Sequence, residues 1–166
     1  MNAESDLKVL SKLFAEVHLD AVMIGNAAAA INGSPVTTLD VDFIVPQTTQ
    51  TYRAIALLAQ ATQSRLQELK LTDDRYMYQL IPKASDGIQI DFLYELASKD
   101  RYEQIREHAQ AVDFGGNVLY IASLEDVIRA KQAAHRPKDI AVLPILELTL
   151  EEQRATLSSQ KKPDVN

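Results

Sequence analysis

Two aspartates stand two residues apart in Thr38-Leu39-Asp40-Val41-Asp42, within a run, Leu39 to Val45, where Leu39, Val41, Phe43 and Val45 alternate with Asp40, Asp42 and Ile44. Alternation of this kind predicts a half-buried strand, in which residues two apart point the same way with Cα atoms ~6–7 Å apart. Asp40 and Asp42 would then bring two carboxylates into one small volume, where they repel unless a cation offsets them. Hard oxygen donors suit Mg²⁺ or Mn²⁺. The same spacing also describes two acids that face water. A third acid, Asp91, lies between Ile90 and Phe92 in an apolar run. Such a carboxylate is costly unless paired, solvated or bound to metal. If its strand lies beside the first, three carboxylates converge into a site for two metal ions and in-line displacement at phosphorus, with Asp91 placed to accept the proton of an attacking hydroxyl. Gly25-Asn26 follows the apolar Ala21 to Ile24 directly and precedes an alanine-rich stretch. A sharp turn there would point the first N–H groups of a helix at phosphate oxygens, although a lone glycine between strand and helix also serves simply as a turn.

Other chemistries lack their residues. No G-x-x-x-x-G-K-[ST] loop, G-x-G-x-x-G loop or G-x-S-x-G elbow occurs. Cysteine is absent, which removes disulfides, thiol nucleophiles and thiolate-bound metals. His18, His108 and His135 are too scattered to read as a zinc site. Tyr76, Tyr78 and Tyr94 are either a surface for stacking a base or packing residues.

The elements that must position these groups follow from periodicity. Ser5 is expected to cap a helix carrying Leu7, Leu10, Leu13, Phe14 and Val17 on one face, ending near His18 to Asp20. Then come a strand over 21–24, a short helix over 26–31, the Asp40/Asp42 strand, and a helix over 49–71. A hairpin is expected from 75–81 and 88–94 about Ser85-Asp86-Gly87, then a helix over 99–110 and a second hairpin from 111–114 and 118–121. Ser123 opens a helix to Ala134 with a Ser-x-x-Asp start, Pro137 opens another through Leu148, and Thr149 caps a last one. This order predicts an α+β domain, a small mixed sheet flanked by helices with a helical C-terminal segment. One domain over 1–157 with a flexible polar tail over 158–166 is expected.

Composition agrees. With 166 residues, 46% hydrophobic and 24% charged, the chain has the profile of an ordinary globular domain. Seventeen basic against 23 acidic residues leave a net charge of −6, which argues against a broad duplex-DNA-binding surface. Neither a signal-peptide pattern nor an apolar run long enough for a membrane span is present, so a cytoplasmic protein is expected.

Gly25-Asn26, then Thr37-Thr38-Leu39-Asp40-Val41-Asp42-Phe43 and Ile90-Asp91-Phe92, resemble the DNA polymerase beta-like nucleotidyltransferase superfamily, where a glycine turn, a D-x-D strand and a third Asp build the active site. The likeness spans about 19–146 and leans toward small bacterial members, among them the AbiEii-type nucleotidyltransferase toxins. Leu124-Glu125-Asp126-Val127-Ile128-Arg129-Ala130-Lys131 and Arg136-Pro137-Lys138-Asp139 are similar to the helical segment that such proteins set beside the nucleotide. The resemblance implies Mg²⁺- or Mn²⁺-dependent transfer of a nucleoside monophosphate from an NTP to a hydroxyl of RNA, a protein or a small molecule. It implies Asp40, Asp42 and Asp91 as catalytic metal ligands, Gly25, Asn26 and Thr38 beside the nucleotide, and Lys131 and Arg136 neutralising phosphate charge. The bland alternative for Lys131 and Arg136 is a solvated helix face. A cognate antitoxin would be the partner of a toxin of this type, and a catalytically silent nucleotide-binding or protein-interaction module is the alternative reading. Two departures stand out. Asn26 replaces the usual Gly or Ser, and Val36-Thr37 stand where relatives carry an Arg able to fork onto phosphate.

Overall fold

The structure, a computed structural model, describes residues 3–71, 76–83 and 87–160. Its elements run α1 (Ala3–Glu16), β1 (Val22–Ile24), α2 (Gly25–Ile31), β2 (Asp40–Ile44), α3 (Thr49–Ala61), β3 (Arg65–Lys70), β4 (Tyr76–Ile81), β5 (Gln89–Leu93), α4 (Tyr102–His108), β6 (Gln110–Asp113), β7 (Val118–Ile121), α5 (Leu124–Ala134) and α6 (Pro137–Gln160). All seven strands join one mixed sheet of order β3-β4-β5-β2-β1-β7-β6. β2 and β5 are parallel, as are β1 and β7, and the remaining neighbours are antiparallel. The α+β class with a small mixed sheet and a helical C-terminal segment is the observed one. No helix among the described residues is long and apolar enough to cross a membrane.

Side-chain alternation in β2 divides the chemistry from the core. Val41 and Phe43 point to one face, Asp40 and Asp42 to the other. On the apolar face, Phe14 of α1 packs on Phe43 at 4.8 Å between ring centroids, and Phe43 stacks on Phe92 of β5 at 5.9 Å. Ile55 and Leu58 of α3 are fully buried within this same core. Each deeply buried side chain of this size stabilises the fold by ~1.5–3 kcal/mol. Tyr78 and Tyr94 lie on this side too, at 5.5 Å from Tyr52 to Tyr78 and 5.9 Å from Tyr78 to Tyr94. They pack behind the sheet, away from the acids.

Several boundaries differ from the sequence reading. Ser5 lies inside α1, which already begins at Ala3. The helix expected over 49–71 stops at Ala61, because Thr62 turns back onto Leu58 O and Gln63 takes a left-handed φ of 52°. Leu66 and Leu69 fit a helical period, but all six residues from Arg65 to Lys70 pair with β4 instead. Tertiary pairing outweighs a three-residue apolar spacing. The first hairpin is present as β4 and β5, while Arg75 and the Ser85-Asp86 part of its turn lie outside the described residues. The two final helices are one: α6 passes through Pro144, and Thr149 donates its hydroxyl to Ile145 O at 2.8 Å rather than capping a new start. Residues 158–160 of the expected tail continue α6, and 161–166 lie outside the described residues. Ser123 does cap α5, accepting from the Asp126 N–H at 3.1 Å.

Candidate active site

Parallel pairing sets Asp42 of β2 opposite Asp91 of β5, with Asp40 opposite Gln89. Paired residues share a face, so the three carboxylates converge. Each offers an oxygen within 4.8 Å of the others, a group whose spacing and hard donors fit a divalent cation. They line the floor of a cleft of about 540 Å³ shared with Gly25, Asn26, Thr38, Lys131 and Arg136. The residues singled out in the sequence therefore meet in one place.

Each acid is held differently. Asp40 accepts from the Thr38 hydroxyl at 2.6 Å. Asp42 rests against Gly25, whose φ is +68° and where any Cβ would collide with Asp42 Oδ2. Glycine is thus required twice, for its backbone conformation and for the space it leaves. Asp91, 6% exposed, accepts from Gln89 Nε2 at 2.9 Å and from Gln79 Nε2 at 3.1 and 3.3 Å. Burial pushes Asp42 up to about 7, and the neighbouring Asp40 and Asp91 add to the rise, against which Lys138 and Lys131 pull downward. Burial likewise raises Asp91, opposed first by its two glutamine hydrogen bonds. A carboxylate that holds its proton near neutrality for want of compensating charge is one that a bound cation would ionise.

The cationic wall comes from α5 and α6. Lys131, only 12% exposed, reaches Asp139 Oδ1 at 3.3 Å, and Arg136 Nε reaches Asp139 Oδ2 at 2.5 Å. These partners hold Asp139 below the usual carboxylate range despite its burial. Lys131 is thus not a free solvated side chain but a tethered one, whereas Arg136 remains mostly exposed. Asn26 also lines the cleft, its Oδ1 buried and without a partner. The α2 amides expected to face phosphate belong to a single seven-residue helix, with no side-chain cap at Ile24.

Gln79, Gln89, Lys138 and Asp139 were not singled out as site residues in the sequence. Lys138 and Asp139 lay inside the Arg136-Pro137-Lys138-Asp139 segment, but a glutamine in a strand carries no signal until the register places it. The three histidines form no metal group: His108 pairs with Asp126 at 3.2 Å, while His18 and His135 take left-handed positions beside helix ends.

Solved structures share the fold, among them two nucleotidyltransferase-like proteins. A candidate nucleotidyltransferase from Thermotoga maritima is 19% identical with a TM-score of 0.55, covering 96% of this chain and 94% of its own. An antigenic nucleotidyltransferase-like protein from Paracoccidioides brasiliensis is 15% identical with a TM-score of 0.57, covering 95% and 88%. No curated protein matches significantly. The family model for nucleotidyl transferases of unknown function (DUF2204) matches residues 3–164, so the chain belongs to that family.

Proposed function

We propose that the cleft carries out divalent-metal-dependent nucleotidyl transfer. An acceptor hydroxyl would attack the α-phosphorus of an NTP; the new O–P bond forms as the bond to the β-phosphate oxygen breaks, and pyrophosphate leaves. The convergence of Asp40, Asp42 and Asp91 within 4.8 Å supports this reading above all else. These three residues would hold Mg²⁺ or Mn²⁺, which when bound supplies charge neutralisation at the phosphates, turning a local −3 into about +1 with two ions. Asp91 would take the hydroxyl proton. Gly25, Asn26 and Thr38 would flank the nucleotide, and Lys131, tethered by Asp139, and Arg136 would face the departing phosphates. Residues 1–157 would act as one domain in the cytoplasm. The acceptor hydroxyl would belong to an RNA end, a protein or a small molecule.

Thermal unfolding followed with each NTP, with and without Mg²⁺, tests the reading. Metal-dependent stabilisation that Asp40→Ala removes is the expected outcome, reaching ~2.7 kcal/mol at a hundredfold excess over Kd. Absence of a shift with every NTP would sink the enzyme reading. Labelled-NTP transfer to total RNA or protein then identifies the acceptor. The unpartnered Asn26 oxygen, in place of a small residue at the phosphate turn, favours the second reading, a catalytically silent nucleotide-binding or interaction module: NTP binding without label transfer is its signature. The AbiEii likeness extends the proposal to a toxin with a cognate antitoxin. Growth arrest on expression of the wild type, absent with Asp40→Ala, is expected in that case.

A further inference from the structure

Among the described residues, three aspartates, Asp91, Asp126 and Asp139, are deeply buried, and they are served in two ways. Asp139 is met by Arg136 and Lys131, and Asp126 by Arg129 Nη2 at 2.7 Å and His108 Nδ1 at 3.2 Å. Asp91 is met by two neutral amides. Cations would offset its charge in advance; amides fix the carboxylate in place and leave the charge for something else.

The placement of these amides follows from the sheet. Gln79 stands directly opposite Asp91 in the antiparallel β4/β5 register, and Gln89 precedes Asp91 by two residues on the same strand face. Backbone pairing on both sides therefore sets where the amides reach. A carboxylate accepts only, so each amide must present its nitrogen. The load on the two oxygens is unequal. Oδ1 takes the Gln89 bond at 2.9 Å and the shorter Gln79 contact at 3.1 Å, whereas Oδ2 takes only the longer Gln79 contact at 3.3 Å.

We propose that Gln79 and Gln89 are positioning residues for Asp91, clamping Oδ1 so that Oδ2 is the oxygen offered to a divalent cation. The inference rests on the metal-dependent reading above and deepens it. Without the clamp the carboxylate rotates about its terminal bond, and the third ligand is no longer held against Asp40 and Asp42. Loss of groups that orient metal ligands typically weakens metal binding by ~10–100-fold.

The test is Mn²⁺ affinity, read from the EPR signal of free Mn²⁺ during titration of the full chain, in wild type and in a Gln79→Met, Gln89→Met double variant that keeps side-chain length and removes both donors. Expected is Mn²⁺ binding at least ~10-fold weaker in the variant, with kcat for transfer reduced and, at Mn²⁺ concentrations that saturate both proteins, the NTP KM unchanged, since the cationic wall is untouched. A lower melting temperature with Mn²⁺ affinity unaltered overturns the positioning role. Should the double variant fail to fold, Gln89→Met alone, at a half-buried site, gives the same readout. Wild-type protein without an Asp40-dependent Mn²⁺ site overturns the metal reading and this inference together, whereas equal tight binding by wild type and variant overturns only the latter.

Discussion

Asp42 carries the strongest electrostatic burden in the cleft, and its pH dependence has a definite sign. Its folded pKa, about 7, lies above the ordinary 3.8, so the proton is bound more tightly in the folded state. The stability associated with that proton is fully present below about pH 4 and is lost as pH rises through 7. At ~1.4 kcal/mol per unit the loss amounts to a few kcal/mol. The metal-free protein should therefore melt at lower temperature at pH 8 than at pH 5. Asp42→Asn should flatten this slope, and Mn²⁺ should restore stability at pH 8 in the wild type alone. Gly25→Ala should cost ~1–3 kcal/mol through its left-handed φ and displace Asp42, measurable as a lower urea midpoint and weakened Mn²⁺ binding. At this scale much was legible. Asp40, Asp42 and Asp91 announce themselves because acids at period two, or flanked by Ile90 and Phe92, are costly without a reason. Gln79 and Gln89 do not, since an amide on a strand costs little in either orientation.

The helices α5 and α6 are joined at the cleft by Asp139, 1% exposed, between Lys131 and Arg136. Removing one partner of a buried ion pair leaves the other uncompensated. Asp139→Ala should destabilise by about 3 kcal/mol in urea unfolding, and should raise the KM for NTP as Lys131 loses its tether. Pro144, exposed within α6, lacks the N–H that would bond to Ile140 O. Pro144→Ala should raise stability by up to ~3 kcal/mol without changing metal affinity. Helix starts with a chemical mark, Ser123 and Pro137, were readable from sequence. What escaped was β3, where Leu66 and Leu69 suit a helix as well as a strand and only pairing with β4 decides. The continuity of α6 past Thr149 escaped for a related reason: a threonine hydroxyl serves a helix interior by bonding back four residues as readily as it serves a cap.

Across the whole molecule the sheet keeps an apolar face under α1 and α3 and an acidic site on the other, and the net charge of −6 adds no broad attraction for a polyanion. Binding to a random 20-bp duplex at physiological salt should be weaker than ~100 μM by anisotropy, while, on the proposed reading, an NTP with Mg²⁺ should shift the melting temperature. The fold class was legible because the order of elements constrains layers; the strand order was not, since periodicity says nothing of which strands pair. That order has a kinetic consequence. The parallel pairing of β2 with β5 joins residues 49 apart in sequence, Asp42 and Asp91, across the intervening α3, β3 and β4. Such non-local contacts form slowly, and no length of chain ending before Asp91 contains the site. During synthesis the three carboxylates thus meet only after more than half of the chain has been made, and, on the proposed metal-dependent reading, divalent-ion binding would serve as a clock for when the central strands have met.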